Sequence, residues 1–241
     1  MASNKENINK NGVILYDGPS LIDGKPIVAI ATALTETSSN VKTGDMIQIW
    51  IMRSDIAPTD AWKTDCDTSV CGDCPLRKVD GHRVCYVTLF QAPLSIYKDY
   101  KNGKYLTAAE YPDLTKRMMK KPIRVGAYGD PAAVPAETII PYLDRNGKWT
   151  GYTHQWSKDI AKPWRAYLQA SVETDEQAKQ AQQQGWKYFR VFPENVNIPK
   201  GLVKCKGGDT TMCTFCGRCN GRKANVYTVV HGAGKNFFPT K

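Results

Sequence analysis

The sequence predicts an α/β protein made of parallel βα units, arranged as a partial or small TIM-like barrel behind an N-terminal β-hairpin. Three observations predict it. From Pro122 onward, apolar strand-like runs alternate with helix-like runs, the pattern of a parallel sheet with crossover helices. Before that, two apolar runs flank a Gly/Asp-rich turn. And 241 residues are too few for a complete eight-fold barrel. A doubly wound open sheet is the competing arrangement.

Each element has its own justification. Residues 1–12, "MASNKENINKNG", are polar and predict a disordered tail with no apolar leader, so that 13–241 form a single domain. "VILYDGPSLIDGKPIVAIATAL" predicts the hairpin. "SSNVKTGDM" predicts a loop, and "MIQIWIM" a strand. Lys42, Thr43 and Gly44 lack the glycine spacing of a phosphate-binding loop. "CYVTLF" predicts a further strand, followed by helices near "PLSIYKDYKNG" and "TAAEYPDLTKRMMKK". "PIRVGAY", "KWTGYT", "AYLQASV" and "WKYFRVF" predict the regular strands. Between them lie a proline-interrupted helix over "PAAVPAETIIPYLDRNG", a short helical or turn segment over "HQWSKDIAKPW", and a helix over "TDEQAKQAQQQG". Thr174 is the expected N-cap of that last helix and Gly185 its stop.

This layout points to candidate chemistry, because parallel α/β folds place it at the carboxyl ends of the strands. Those ends carry Gly129 and Asp130, then Thr153, His154 and Gln155, then Glu173, then Arg190. Asp130, His154 and Glu173 are the candidates for acid, base or nucleophile. Gly129, Thr153, Gln155 and Arg190 are the candidates for holding a cofactor.

The eight cysteines fall into two groups, Cys66, Cys71, Cys74 and Cys85, and Cys205, Cys213, Cys216 and Cys219. Four thiolates with CxxC steps fit a zinc site built of four cysteines or a cysteine-held iron–sulfur cluster such as [4Fe–4S]. Gly72 and Gly217 lie inside the CxxC steps, where a tight knuckle needs a permissive backbone. Spacing alone leaves zinc and iron–sulfur both open. If Cys66 is a bystander, Cys71, Cys74 and Cys85 leave one coordination position free, and His82 could replace a thiol as ligand.

The net charge is +10 and the pI about 9.1, which favours nucleic acid as partner. No run of 18 apolar residues exists to span a membrane. Cysteines used as ligands imply a reducing cytoplasm.

Several segments together resemble an uncharacterised family of cysteine-rich bacteriophage proteins: "GPSLIDGKPIVAIATAL", "NVKTGDMIQIWIMRSD", "CGDCPLR…CYV", "GAYGDPAAVP", "GYTHQW", and the last cysteine group with "VVHGAG". More distantly, the Cys85-Tyr86 step ahead of βα units is similar to phage proteins related to the radical-SAM barrel. That likeness implies S-adenosylmethionine and an iron–sulfur cluster, although Cys71, Cys74 and Cys85 depart from the CxxxCxxC spacing. A nucleobase-exchanging barrel of the tRNA-guanine transglycosylase type is another distant analogue, with Asp130 as its nucleophile. The resemblance implies the cytoplasm of an infected host cell. The polar strand ends, the cysteine groups and the basic charge lead to the expected function, a metal-binding enzyme that modifies a base or nucleotide. The alternatives are a zinc-stabilised nucleic-acid-binding accessory protein and a phage factor that binds a host protein.

Overall fold

The computed structural model describes residues 7–38, 40–207, 210–232 and 234–239. Ten strands form one mixed sheet in the order β4-β1-β2-β3-β5-β6-β7-β8-β10-β9. In chain order they are β1 (Gly12–Pro19), β2 (Pro26–Thr32), β3 (Ile47–Arg53), β4 (Leu106–Thr107), β5 (Ile123–Tyr128), β6 (Trp149–Thr153), β7 (Gln169–Val172), β8 (Tyr188–Phe192), β9 (Val203–Lys204) and β10 (Val226–Val229). The helices are α1 (Pro58–Lys63), α2 (Thr68–Cys71), α3 (Ala92–Lys101), α4 (Leu114–Met118), α5 (Ile140–Asn146), α6 (Asp175–Gln183) and α7 (Cys213–Cys216).

The β1–β2 hairpin is antiparallel and β2 pairs antiparallel with β3. Every other ladder is parallel, so β2 alone runs against the rest. Crossovers through helical segments explain this direction, since parallel neighbours cannot be joined by a tight turn. Among the described residues no ladder joins the two end strands, β4 and β9, so the pairing defines a mostly parallel sheet and not a closed ring.

Alternation along the strands sorts the residues by face. On β5, Ile123 and Val125 enter the apolar core with Ile139, Leu143 and Trp149. Their neighbours Arg124, Gly126 and Tyr128 line a cavity on the opposite face. β2 and β3, fully buried over most of their length, read as continuous apolar runs for the same reason that central strands do.

Several expectations are corrected. The stretch "CYVTLF" forms no strand; Val87 and Thr88 run as irregular chain, and Cys85, Tyr86 and Val87 turn towards the cavity. The helix expected over 107–121 shrinks to α4, because Pro112 and a left-handed Asp113 (φ 54°) precede it. The proline-rich segment after β5 breaks into two short 3-10 turns and then α5, as its three prolines dictate. Of the tail expected over 1–12, residues 1–6 lie outside the described residues. Asn9 and Asn11 are anchored: the Asn9 amide donates to Lys104 O at 2.8 Å, and Asn11 Oδ1 accepts from the Thr35 and Glu36 amides. β10, which inserts between β8 and β9, was not anticipated. Thr174 does cap α6, accepting from the Gln177 amide at 3.1 Å. Among the described residues no helix is long and apolar enough to cross a membrane.

Candidate functional site

One cavity of about 210 Å³ lies against the sheet face formed by alternate residues of β5, β6, β7, β8 and β10. Arg124, Tyr128, Tyr152, Ser171, Phe189, Val191 and Thr228 form its floor. Asp130, His154 and Glu173 stand at the carboxyl-end rim, as the strand ends suggested.

Asp130 is held there by the backbone. Gly129 has φ +78°, and a Cβ on it would lie 2.4 Å from Ile51 O, so only glycine lets β5 turn this closely against β3. The Asp130 amide then donates to Val70 O at 2.6 Å. Its carboxylate accepts from the Ala132 amide at 3.0 Å through Oδ1 and from the His154 amide at 2.7 Å through Oδ2. The side chain is only 6% exposed. Burial pushes its pKa above the usual carboxylate value, while the two backbone donors and Thr153 oppose that shift. Asp130 therefore clamps the end of β6 to the end of β5, and its oxygens are spent on that clamp.

His154 is the side chain placed for proton transfer. Its Nε2 lies 3.1 Å from Glu173 Oε1 and 3.8 Å from Cys74 Sγ. Burial alone would lower its pKa; Cys74 and Glu173 outweigh burial and raise it well above the ordinary histidine value. The ring faces a carboxylate on one side and a sulfur on the other, and both favour its protonated form.

Both cysteine groups reach this cavity although about 120 residues separate them in sequence. Cys71, Cys74 and Cys85 line one part, and Cys205 and Cys213 another. Cys71 is within electrostatic reach of Cys74 and Cys85, and burial pushes its thiol well up. Cys219 is coupled to Cys205, Cys213 and Cys216, and burial pushes it up to about 12. Gly72 and Gly217 adopt φ of +57° and +55°, as the knuckle reading required. The donor set is soft and suits zinc or iron. Yet among the described residues no three Cys, His, Asp or Glu side chains converge on a common ion position.

Other candidates lie elsewhere. Cys66 does not line the cavity; its thiol points to Thr64 O at 3.6 Å. His82 stacks on Phe237 with ring centroids 3.7 Å apart, outside the cavity. Thr153 and Gln155 are buried beneath the rim: Thr153 Oγ1 accepts from the Gln155 amide at 3.0 Å, and Gln155 Nε2 reaches Cys71 O at 3.4 Å. They support the cysteine loop and cannot touch a ligand in the cavity. Arg190 is turned away, because alternation on β8 gives Phe189 and Val191 to the cavity and sends Arg190 to Asp175 at the start of α6. Of the four cofactor candidates only Gly129 lines the cavity.

Sequence reasoning set Lys42 aside for want of a phosphate-loop spacing, noted Tyr86 only beside Cys85, and missed Arg83, Arg124 and Tyr152; all five line the cavity. The signal was present for Arg124: in "IRVGAY" the residues Arg124, Gly126 and Tyr128 occupy one face by simple alternation. Attention to strand ends passed over the strand face. Compared with known proteins, the chain matches no family profile, no curated protein and no solved structure.

Proposed function

We propose that the chain is a metal-binding enzyme that modifies a base in a nucleotide or nucleic acid, with its reaction at the rim where His154 and Glu173 meet the first cysteine group. The observation that carries this reading is the meeting of Cys71, Cys74, His154, Glu173 and Asp130 at one cavity on the carboxyl ends of parallel strands. We read the sheet as a partial barrel whose inner face is the cavity wall. A phage source and a host-cytoplasm setting rest on the sequence resemblance alone.

In this reading His154 acts as general acid towards an atom of the base that gains negative charge, and Glu173, paired to its Nε2, holds the ring in place and favours its protonated form. Asp130 fixes the backbone from which His154 projects. Cys71, Cys74 and Cys85 are the thiols that would hold a zinc ion or iron–sulfur cluster, which would supply Lewis-acid or electron-transfer chemistry there. The half-open cavity, about 210 Å³, is on the scale of a single base and too small for a stacked duplex.

The test is to purify the full chain without oxygen, measure its metal content and visible spectrum, and compare nucleosides from cells expressing the wild type or His154→Gln. A new nucleoside mass that depends on His154, with metal lost in Cys74→Ser, supports the proposal. Metal-free protein and unchanged nucleosides refute it.

A second reading, a non-catalytic nucleic-acid-binding protein, has one feature in its favour. Phe215 on α7 is 79% exposed and Met212 beside it is 42% exposed, next to Arg218 and the exposed Lys223. An aromatic ring among cations is a stacking platform for single strands. Loss of oligonucleotide binding in Phe215→Ala, with no nucleoside change in any cell sample, would favour it.

A further inference from the structure

The charges in the cavity are sorted by position. Its carboxylates, Asp130 and Glu173, stand at the carboxyl-end rim beside His154 and Cys74. Arg124 lies towards the other end, as the second residue of β5, while Asp130 follows two residues after that strand ends, and Lys42 shares the Tyr86 ring with Arg124. Arg124 pairs with Gln48 of β3 and Tyr128 with Trp50, so the two stand apart along β5 across an irregularity in the ladder.

Neither cation is neutralised by a carboxylate among the described residues. Arg124 hydrogen-bonds the Tyr86 hydroxyl through Nη2, and its guanidinium lies 5.8 Å from the centre of that ring. Lys42 Nζ lies 5.6 Å from the same ring and 3.0 Å from His231 Nε2. Thiols are also within electrostatic reach, Cys213 of both cations and Cys85 of Arg124, which has Tyr152 near it as well. Arg83, a third lining cation, has a buried Nη1 with no hydrogen-bond partner and only Asp67 at 3.8 Å. Cations with no carboxylate beside them, on the wall of a half-open, partly aromatic cavity, are placed to take up an anion. Arginine's fork and lysine's point charge together suit a phosphate, and the rings of Tyr86, Tyr152 and Phe189 suit a planar group beside it.

We propose that Lys42 and Arg124 form an anion subsite that binds the phosphate of a nucleoside phosphate, placing its planar portion along the sheet face towards His154. The inference rests on the cavity being the substrate site, and it supplies what the reading above lacks, the group by which the substrate is held. The phosphate can belong to a free nucleotide or to a phosphodiester in single-stranded nucleic acid; the subsite chemistry is the same.

The test is calorimetric titration of the full chain, at fixed salt, with adenosine 5′-monophosphate, adenosine and a short single-stranded oligonucleotide. The monophosphate or the oligonucleotide should bind at least roughly tenfold more tightly than adenosine, the scale of one charge-assisted contact. Arg124→Gln should remove that advantage, leave adenosine binding unchanged and retain the wild-type metal content. Lys42→Met, in a loop, gives the same test if Arg124→Gln fails to fold. Tight monophosphate binding identifies a free nucleotide; binding of the oligonucleotide alone identifies nucleic acid. Equal affinity for monophosphate and adenosine, with no oligonucleotide binding, overturns the proposal. So does a variant that keeps phosphate binding but loses metal, since the cations would then serve the thiolates of the second cysteine group. Phosphate binding that persists in a protein without metal or nucleoside chemistry would sink the proposed reaction and leave the subsite standing.

Discussion

Asp130→Asn separates a structural clamp from a catalytic acid. The carboxylate accepts one backbone N–H on each oxygen, from Ala132 at 3.0 Å and from His154 at 2.7 Å. Asparagine keeps the shape but offers one acceptor, so its NH2 must face one of those amides. The N–H so faced is left without its acceptor, at a cost of about 1–3 kcal/mol, and the surviving bond loses its charge assistance, about 1 kcal/mol more. Burying a neutral amide instead of a charge returns part of this, so the net expectation is a loss of about 2–3 kcal/mol. Glu173→Gln is the control. Its side chain is 32% exposed and bonded to one partner, so the loss there should stay below about 1 kcal/mol. Urea denaturation at neutral pH, followed by tryptophan fluorescence, measures both. The reasoning is refuted if Asp130→Asn unfolds within about 0.5 kcal/mol of wild type, or if Glu173→Gln is the more damaging change.

Other expectations follow from the same geometry. Gly72→Ala puts a methyl 2.2 Å from Gln155 Nε2 at φ +57°, so it should cost about 1–3 kcal/mol in denaturation and disturb metal retention by the first cysteine group. Asp67 is fully buried between Arg77 at 2.7 Å and Arg83 at 3.8 Å; Asp67→Ala leaves Arg83 without a carboxylate and Arg77 with Asp65 alone, and should cost about 3 kcal/mol. Cys219, buried and with its thiol pushed up to about 12, should resist alkylation by iodoacetamide at pH 8 while Cys66 reacts, as read by peptide mass spectrometry of the metal-free protein; early labelling of Cys219 would contradict its burial. Cys66→Ser should leave metal content unchanged where Cys71→Ser lowers it.

Much of the architecture was legible because it is written in local pattern. The hairpin, β3, and the strands and helices from β5 to β8 follow from apolar periodicity, caps and proline positions, which act within a few residues. Where local signals were weak or masked, the reading failed. "CYVTLF" has strand composition, but its Cys85 and Tyr86 are drawn to the cavity by contacts with segments far along the chain, Tyr86 by Arg124 on β5. β10 has only four residues and gains its place by pairing with β8 and β9.

The candidate site divides the same way. Strand-end logic located Asp130, His154 and Glu173 at one rim, because carboxyl ends of parallel strands must gather on one edge of the sheet. It could not assign their roles: the two amides that occupy Asp130 come from the next turn and from the neighbouring strand. Sequence by itself determined the elements, their parallel run and the two cysteine groups, since each is encoded over short spans. Only the tertiary structure decided that both groups open on one cavity, that Arg190 and Gln155 face away from it, and that Lys42 and Arg124 line it with no carboxylate paired to either among the described residues. Which side chains share a cavity depends on which strands become neighbours and which face each residue takes, and shifting a strand by one residue would exchange the faces.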